Sequence, residues 1–132
     1  QDMFFMLQKE VADRLAAAPS TSSYGRLSVT VGYSCKVKKL FNIGPGAFKP
    51  PPKVDSSIIS LTPYAEPPVD VKDKARFMQV VTTAFSQRRK TLRNSLKNFM
   101  DESLIVEAGI DPACRAETLG LEEFAALANI GQ

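Results

Sequence analysis

The run MFFML at residues 3–7 constrains the fold most, because all of its side chains are apolar. Successive side chains of a strand point to opposite faces of a sheet, so this run would present apolar surface on both faces. Strands of that kind are typical of sheets that helices cover on both sides. We expect a buried strand of an α/β fold whose parent sheet is larger than residues 8–132 can complete. An amphipathic helix beginning at Met3 is the alternative, since short apolar runs are ambiguous by period alone.

Two helices and two further strands are predicted before residue 62. Val11 and Leu15 lie at helical spacing in QKEVADRLAAA, and a second helix is expected over residues 25–33. Residues 35–43 and 57–61 are each predicted as a strand. The intervening GPGAFKPPPKV is expected to be a stiff extended loop, because its successive prolines fix φ and lack amide hydrogens. The two strands can therefore form an antiparallel pair joined by this loop.

Only helices are expected after residue 70. Three prolines in TPYAEPPVD, residues 62–70, leave little to bury and mark a boundary. An apolar stripe from Val71 to Phe85 predicts one helix, Leu92 and Leu96 predict the next, and the last apolar face lies within 121–128. The predicted organisation is 1–64 as the C-terminal part of a larger domain, 65–70 as a linker, and 71–132 as a small all-α domain.

Two local signals refine the helices of this second half. Gly109 is expected to close a short helix that begins at Leu104, because glycine is the preferred residue just beyond a helix end. Asp111 followed by Pro112 has the chemistry of an N-cap and a first helical position. A new helix is therefore predicted to start there.

The composition excludes several classes of site. The chain contains no histidine, which removes His-based hydrolase triads and zinc sites that use His. Cys35 and Cys114 form no CxxC pair and are expected to be reduced thiols packed as small hydrophobes. No metal site is predicted. Since no window approaches the roughly 20 apolar residues of a membrane span and no signal-peptide pattern occurs, we expect a soluble, cytoplasmic protein without a membrane partner.

Charge is distributed unevenly, although the net charge is only +3. Residues 101–132 hold seven acids and a single base, whereas residues 74–100 hold no acid. This asymmetry predicts a surface for a polyanion beside one that repels it. The bases of residues 74–100 are Lys74, Arg76, Arg88, Arg89, Lys90, Arg93 and Lys97.

The segment SQRRKTLRNSLKN, residues 86–98, is the strongest functional signal. On a continuous helix, Arg89, Arg93 and Lys97 would lie four residues apart on one face, with Leu92 and Leu96 directed to the core. Arginine forks and lysine point charges of such a stripe can follow an RNA backbone without reading its sequence. The alternative is a solvated basic face without a partner; the absence of acid from residues 74–100 favours the RNA interpretation.

Phe48 is a second candidate, because it stands between Lys49 and Lys53 on the proline-rich loop. An aromatic ring held between two cations is a plausible stacking platform for an unstacked base, with each cation available to RNA. Packing of Phe48 into the sheet core is the alternative, and the residues alone favour it slightly. No P-loop and no GxGxxG motif occurs, and the glycines at 44 and 46 are explained as turn residues.

Five segments, taken in order over nearly the whole chain, resemble the KsgA-type small-subunit rRNA adenine dimethyltransferases. The combination of F-x-P-P-P-K-V-D-S with Q-R-R-K-T-L-R-N-S-L is highly specific. The LQKE segment is shared with related resistance methyltransferases that act on large-subunit rRNA. The segments are MLQKEVADRL (6–15), YGRLSV (24–29), FKPPPKVDSSIISL (48–61), AFSQRRKTLRNSL (84–96) and GIDPACRAETLGLEEF (109–124).

The resemblance implies a reaction, a fold and partners. The family uses S-adenosylmethionine to place two methyl groups on the exocyclic amine of each of two adjacent adenosines near the 3′ end of small-subunit rRNA, during ribosome assembly. Its fold is a Rossmann-like methyltransferase domain followed by a small helical domain. Residues 1–64 would then be the last strands and helices of the first domain. The implied partners are small-subunit rRNA and the pre-30S particle.

The family's cofactor and catalytic motifs all precede the segment that resembles MLQKEVADRL. No catalytic, cofactor-binding or metal-binding residue is therefore carried over, and the chain alone is expected to be inactive, to bind no S-adenosylmethionine and to need a missing N-terminal methyltransferase segment. The family's F-x-P-P-P-K-V phenylalanine lines the target-base pocket, which implies that role for Phe48. An rRNA-facing surface is implied, more loosely, for Arg88, Arg89, Lys90, Arg93 and Lys97.

Two other functions are open at this point. A non-catalytic nucleic-acid-binding module would use helices within residues 71–100 in the manner of a helix-turn-helix, which requires specific duplex binding and a dimer or symmetric half-sites. The sheet-forming first half is not needed for that function. The large-subunit resistance methyltransferases are disfavoured by GIDPACRAETLG, which looks more like the small-subunit family.

Overall fold

The computed structural model describes residues 2–44, 55–87 and 89–130, which form a small α/β fold. A three-stranded antiparallel sheet occupies the first half, and short helices follow it. The elements are β1 (Met3–Gln8), α1 (Lys9–Ala16), α2 (Arg26–Ser34), β2 (Cys35–Ile43), β3 (Ser56–Pro63), α3 (Lys74–Phe85), α4 (Leu92–Ser95), α5 (Glu102–Glu107), a 3-10 turn (Ala116–Thr118) and α6 (Leu121–Asn129).

The strand order is β1-β3-β2, with β3 in the centre and antiparallel to both neighbours. Leu61 of β3 pairs with Met3 on one side and with Val37 on the other. The register shifts between Lys39 and Phe41, where β2 carries a bulge. The predicted antiparallel pair of the strands at 35–43 and 57–61 is confirmed.

The strand β1 confirms the predicted strand at residues 3–7, and the helix alternative at Met3 is wrong. Its predicted burial is not found in the described residues: Phe4 is 63% exposed and Met6 53%, while Met3 and Phe5 on the opposite face are 40% and 42% exposed. These side chains are exposed because β1 is an edge strand, with β3 as its single neighbour in the described sheet. Apolar surface therefore faces outward on both sides of this edge.

Helix α1 lies over the sheet face that carries Lys39. Asp13 of α1 accepts a hydrogen bond from the Lys39 ammonium at 2.6 Å and another from Lys9 at 2.8 Å. These two bonds lower the pKa of the Asp13 carboxyl, and the bond from Lys39 has the larger effect. Because the folded-state pKa is lowered, the contribution of this bridge to stability is present above the ordinary value of 3.8 and is lost as the pH falls through the folded-state pKa.

The main core lies between α2, α3 and α6. Tyr33 of α2 packs its ring on Phe77 of α3 with 4.9 Å between ring centroids, and Phe85 packs on Phe124 of α6 at 5.6 Å. Phe77 and Phe124 are fully buried. Residues on both sides of the predicted linker at 65–70 thus share one core. A separate all-α domain over residues 71–132 stays a prediction.

Helix α3 begins one turn later than its predicted apolar stripe. The Asp73 carboxylate caps it by accepting from the amides of Ala75 at 3.0 Å and Arg76 at 3.3 Å. Val71 therefore lies before the helix, and Ala75 is exposed. The residues that the helix buries are Phe77, Val80, Val81 and Ala84.

Gly109 ends α5 as predicted, with φ at +85°. The Gly109 amide donates to the Val106 carbonyl and the Ile110 amide to the Ile105 carbonyl, which is the hydrogen-bond pattern of a Schellman motif. The predicted helix start at Asp111 is wrong. The Asp111 carboxylate instead accepts from the Ala113 amide at 2.9 Å within a turn that leads to the 3-10 turn.

Both cysteines are free and half-buried, in agreement with the sequence. Burial raises the pKa of the Cys114 thiol.

In the described ranges there is no cluster of three or more His, Cys, Asp or Glu side chains that could hold a metal ion. Among the described residues, none of the helices combines the length and apolar character needed to cross a bilayer.

Tyr24 gives the fold a testable pH dependence. Its hydroxyl donates to the Leu119 carbonyl at 2.6 Å, and burial, together with the Glu123 carboxylate, raises the pKa of Tyr24 to about 12. Below pH 10 the hydroxyl is neutral in folded and unfolded chains, so the stabilisation is complete there. Between pH 10 and 12 the Tyr24 hydroxyl ionises in the unfolded chain but not yet in the folded chain. The free energy of unfolding therefore falls by about 2–3 kcal/mol over this range.

We therefore expect the free energy of unfolding to fall more steeply between pH 10 and 12 in the unsubstituted protein than in Tyr24→Phe, measured by urea titration. Tyr64→Phe is the matched control, because Tyr64 is 40% exposed. Parallel pH profiles for the unsubstituted protein and Tyr24→Phe would contradict this account.

Candidate nucleic-acid interface

The basic segment of residues 86–98 does not form the predicted continuous helix. Helix α3 ends at Phe85, the Lys90 amide donates to the Gln87 carbonyl in a turn, and α4 spans only Leu92–Ser95. The cause is a tertiary contact: Thr91 forms a bridge with Arg115, and the amide of Leu92 donates to the Cys114 carbonyl at 2.8 Å. Extended backbone at Thr91, with ψ of 163°, interrupts the helix before α4.

The predicted division into an apolar and a basic side nevertheless holds. Leu92 and Leu96 are fully buried. Arg89, Arg93 and Lys97 are exposed. The basic side chains therefore stand on turns and on one short helix that the buried leucines fix to the core.

Arg93 differs from the other basic residues because it has an acidic partner. Its Nε donates to the Glu102 carboxylate at 2.6 Å, and each side chain is 50% exposed. Glu102 is the first residue of α5, just beyond the acid-free stretch. Within the ranges that the structure describes, no carboxylate lies within 4 Å of Arg89, Lys90 or Lys97. Of the described basic residues of this segment, these three are therefore without a carboxylate partner that would compete with an anion.

Four predicted site residues, Phe48, Lys49, Lys53 and Arg88, lie outside the described residues. Their roles stay predictions. The strands that flank the proline-rich loop are described, and Ile43 at the end of β2 pairs with Ser56 at the start of β3. The end of β2 and the start of β3 therefore lie together at one end of the sheet.

The sequence did not single out two arginines of the first half. Arg14 in the last turn of α1 and Arg26 in the first turn of α2 line one polar cavity together with Ser22 and Ser23. The two arginines are twelve positions apart in the sequence, and only the packing of α1 on α2 brings them together. A basic residue at each adjoining helix end is the signal that could have indicated them.

The family model described as ribosomal RNA adenine dimethylase matches residues 1–132. The chain belongs to this family. It is 57% identical to ribosomal RNA small subunit methyltransferase A of Hahella chejuensis and 56% identical to that of Pseudomonas aeruginosa, each over 98% of the chain. The match covers 47% and 48% of those two proteins, so the chain spans about half the length of these family members.

Solved structures of similar fold include two methyltransferases. A dimethyladenosine transferase from Plasmodium falciparum superposes with a TM-score of 0.73 at 27% identity, over 96% of this chain and 55% of that one. The 23S rRNA methyltransferase ErmE superposes with a TM-score of 0.72 at 23% identity, over 100% of this chain and 55% of that one, and supports the fold alone. The three-stranded sheet with its helices is thus a fold found in rRNA methyltransferases.

The ion pair of Arg93 with Glu102 is expected to contribute little to stability, because both side chains are half-exposed. Glu102→Gln should change the free energy of unfolding by less than about 1 kcal/mol in a urea titration. Glu107→Gln, on the same helix, is the matched control for loss of one exposed acid. A loss of several kcal/mol specific to Glu102→Gln would show that the pair fixes the packing of α4 against α5.

Proposed function

We propose that this chain is the RNA-binding part of an S-adenosylmethionine-dependent rRNA adenine dimethyltransferase and forms one wall of its target-base pocket. The family match over residues 1–132, with 57% identity to a small subunit methyltransferase, carries the proposal. The whole protein would place two methyl groups on each of two adjacent adenosines near the 3′ end of small-subunit rRNA. Its partner would be the assembling pre-30S particle in the cytoplasm.

The described residues do not fit the cofactor. Open α/β sheets bind nucleotide-like cofactors at the carboxyl ends of parallel strands, at a point where the strand order reverses. In the described ranges each strand pair is antiparallel, so no such crevice is formed. The chain's contribution is therefore binding and orientation, and methyl transfer belongs to the whole family protein.

RNA binding is assigned to exposed cations that buried neighbours hold in place. Arg89, Lys90 and Lys97 are exposed around α4, while Leu92 and Leu96 anchor that segment in the core. Phosphate contacts of this kind set the orientation of a nucleic acid without reading its bases. Lys49, Lys53 and Arg88 would extend this contact, and Arg93 would add the Nη groups that its Nε bond to Glu102 does not use.

Phe48 would supply the wall of the base pocket. An adenine has to leave its stack before its exocyclic amine can be modified, and an aromatic side chain can stack on the extruded base. Phe48 lies between β2 and β3 in the sequence, and the paired ends of these two strands at one end of the sheet support this role.

The domain organisation belongs to the same proposal. Residues 1–64 would be the last strands and helices of a Rossmann-like methyltransferase domain, 65–70 a linker, and 71–132 a helical rRNA-binding domain. The exposed apolar side chains on both faces of β1 support coverage of this strand by further elements of the whole protein. A helix-turn-helix module is not supported, because the four residues of α4 are too few for a recognition helix in a major groove.

RNA binding by the basic segment can be tested with a charge-matched pair of variants. Arg89→Gln/Lys97→Gln should lower affinity for a single-stranded oligoribonucleotide and make the plot of log affinity against log salt shallower by about 1.4, since each phosphate contact contributes about 0.7. Lys36→Gln/Lys38→Gln removes two exposed charges from β2 and should leave the slope unchanged. Fluorescence anisotropy measures both. Equal slopes for the two double variants would remove Arg89 and Lys97 from the interface.

Catalysis can be separated from binding in the chain itself. The 132-residue chain should bind RNA in a salt-dependent way and yet transfer no methyl group from labelled S-adenosylmethionine to unmodified small ribosomal subunits. A full-length family member under the same conditions is the positive control. Methyl transfer by the purified chain would contradict the proposal that catalysis requires the rest of the family protein.

A further inference from the structure

A polar cavity of about 390 Å³ lies between the end of α1 and the start of α2. Ligand pockets in proteins range over about 300–1,000 Å³, so this one suits a small group such as a phosphate with part of its sugar. Its lining combines basic and hydroxyl side chains with the apolar Leu27 and the first turn of α2. The polar lining consists of Arg14, Ser22, Ser23, Gly25, Arg26 and Ser28.

The charges of the lining favour an anion. Both charged side chains of the described lining are arginines, Arg14 and Arg26, and no carboxylate lines the cavity among the described residues. Arg14 Nη2 donates to Glu10 at 2.8 Å, but these side chains are 55% and 76% exposed, so a bound anion can compete with this weak pair. No ion pair within 4 Å engages Arg26 in the described ranges. Guanidinium groups match the geometry of phosphate oxygens.

Backbone amides add to the same cavity. Helix α2 has nine residues, and its N-cap is Gly25, which has no side chain that could cap the first turn. The first amides of a helix have no intrahelical partner, and the helix dipole places partial positive charge there. The amides of Arg26 and Leu27 therefore reinforce the attraction that the two guanidinium groups exert.

The walls of the cavity are held in place before any ligand arrives. Ser28 is 6% exposed; its hydroxyl donates to the Arg14 carbonyl and accepts from the Gly25 amide at 3.2 Å. This pair of bonds ties the last turn of α1 to the first turn of α2. Ser20 earlier in the loop donates its amide to the Glu117 carbonyl at 2.7 Å. Binding would thus require little ordering of the loop, which favours affinity.

We infer that this cavity binds a phosphate group and that the phosphate is a phosphodiester of the RNA backbone. That the phosphate belongs to RNA rests on the proposed function. That the cavity binds a phosphate group rests on the cavity alone. The cavity and the basic segment at 86–98 would then both contact the RNA backbone. Free inorganic phosphate offers the same chemistry and is distinguished by experiment.

The first arm of the test uses inorganic phosphate. In ¹⁵N-edited NMR spectra of the 132-residue chain, phosphate should shift the amide signals of Arg26 and Leu27 and the Nε–H signals of Arg14 and Arg26. Chloride at equal ionic strength should not. In Arg14→Gln/Arg26→Gln the amide shifts should fall at least fivefold, while dispersed spectra show that the variant is folded. Absence of shifts in the unsubstituted protein overturns the inference.

The second arm uses a single-stranded oligoribonucleotide. Arg14→Gln/Arg26→Gln should make the salt dependence of binding shallower by at least about 0.7, and Lys36→Gln/Lys38→Gln should not. If the unsubstituted chain binds no RNA, the proposed function fails, and the phosphate arm still decides the cavity. If RNA binds with an unchanged slope in Arg14→Gln/Arg26→Gln while phosphate shifts the amides, the cavity takes free phosphate and the RNA source is overturned.

Discussion

The packing of α2 against α3 and α6 is the constraint on which the rest of the described structure depends. The sheet is three strands wide, and its edge strand β1 is exposed on both faces, so the sheet offers little closed core of its own. The rings of Tyr33 and Phe77 join the first half of the chain to the second, and the Tyr24 hydroxyl reaches the carbonyl of Leu119 across 95 residues of sequence. A buried hydroxyl without that partner would cost about 1–3 kcal/mol, so this bond fixes the relative placement of the two halves.

This shared core also determines where the charges stand. Leu92 and Leu96 are buried in it, and the backbone of the same segment is tied to residues 112–115 through the amides of Leu92 and Arg93. Those bonds stop the segment from continuing as a helix, so its cations project from turns as well as from α4. Long flexible side chains on a fixed backbone can follow a phosphate chain whose path a straight helix would not match. The interruption of the helix is therefore compatible with binding that recognises the charge and shape of a nucleic acid.

Sequence patterns predicted the elements whose signals are local. The strand at Cys35–Ile43 was predicted at its observed bounds, and Gly109 was placed correctly because a left-handed C′ position requires glycine chemistry. Prediction failed where distant contacts decide the backbone. Thr91 is extended because it pairs with Arg115, and Asp111 caps a turn although the Asp-Pro pair is equally good at a helix start. The Arg93 ion pair was missed for a similar reason, since Glu102 lies outside the window in which acids were counted.

The two basic sites differ in how strongly each can hold an anion. The cations around α4 are surrounded by water, where a single charge pair contributes about 1 kcal/mol or less and salt screens it further. Arg14 and Arg26 are also exposed, but they line one cavity together with the first turn of α2, so guanidinium groups and helix amides can converge on one phosphate. Convergent charge-assisted hydrogen bonds are about twice as strong as neutral ones and carry a fixed direction. A nucleic acid held at both places would be attracted mainly by the first and fixed in register mainly by the second.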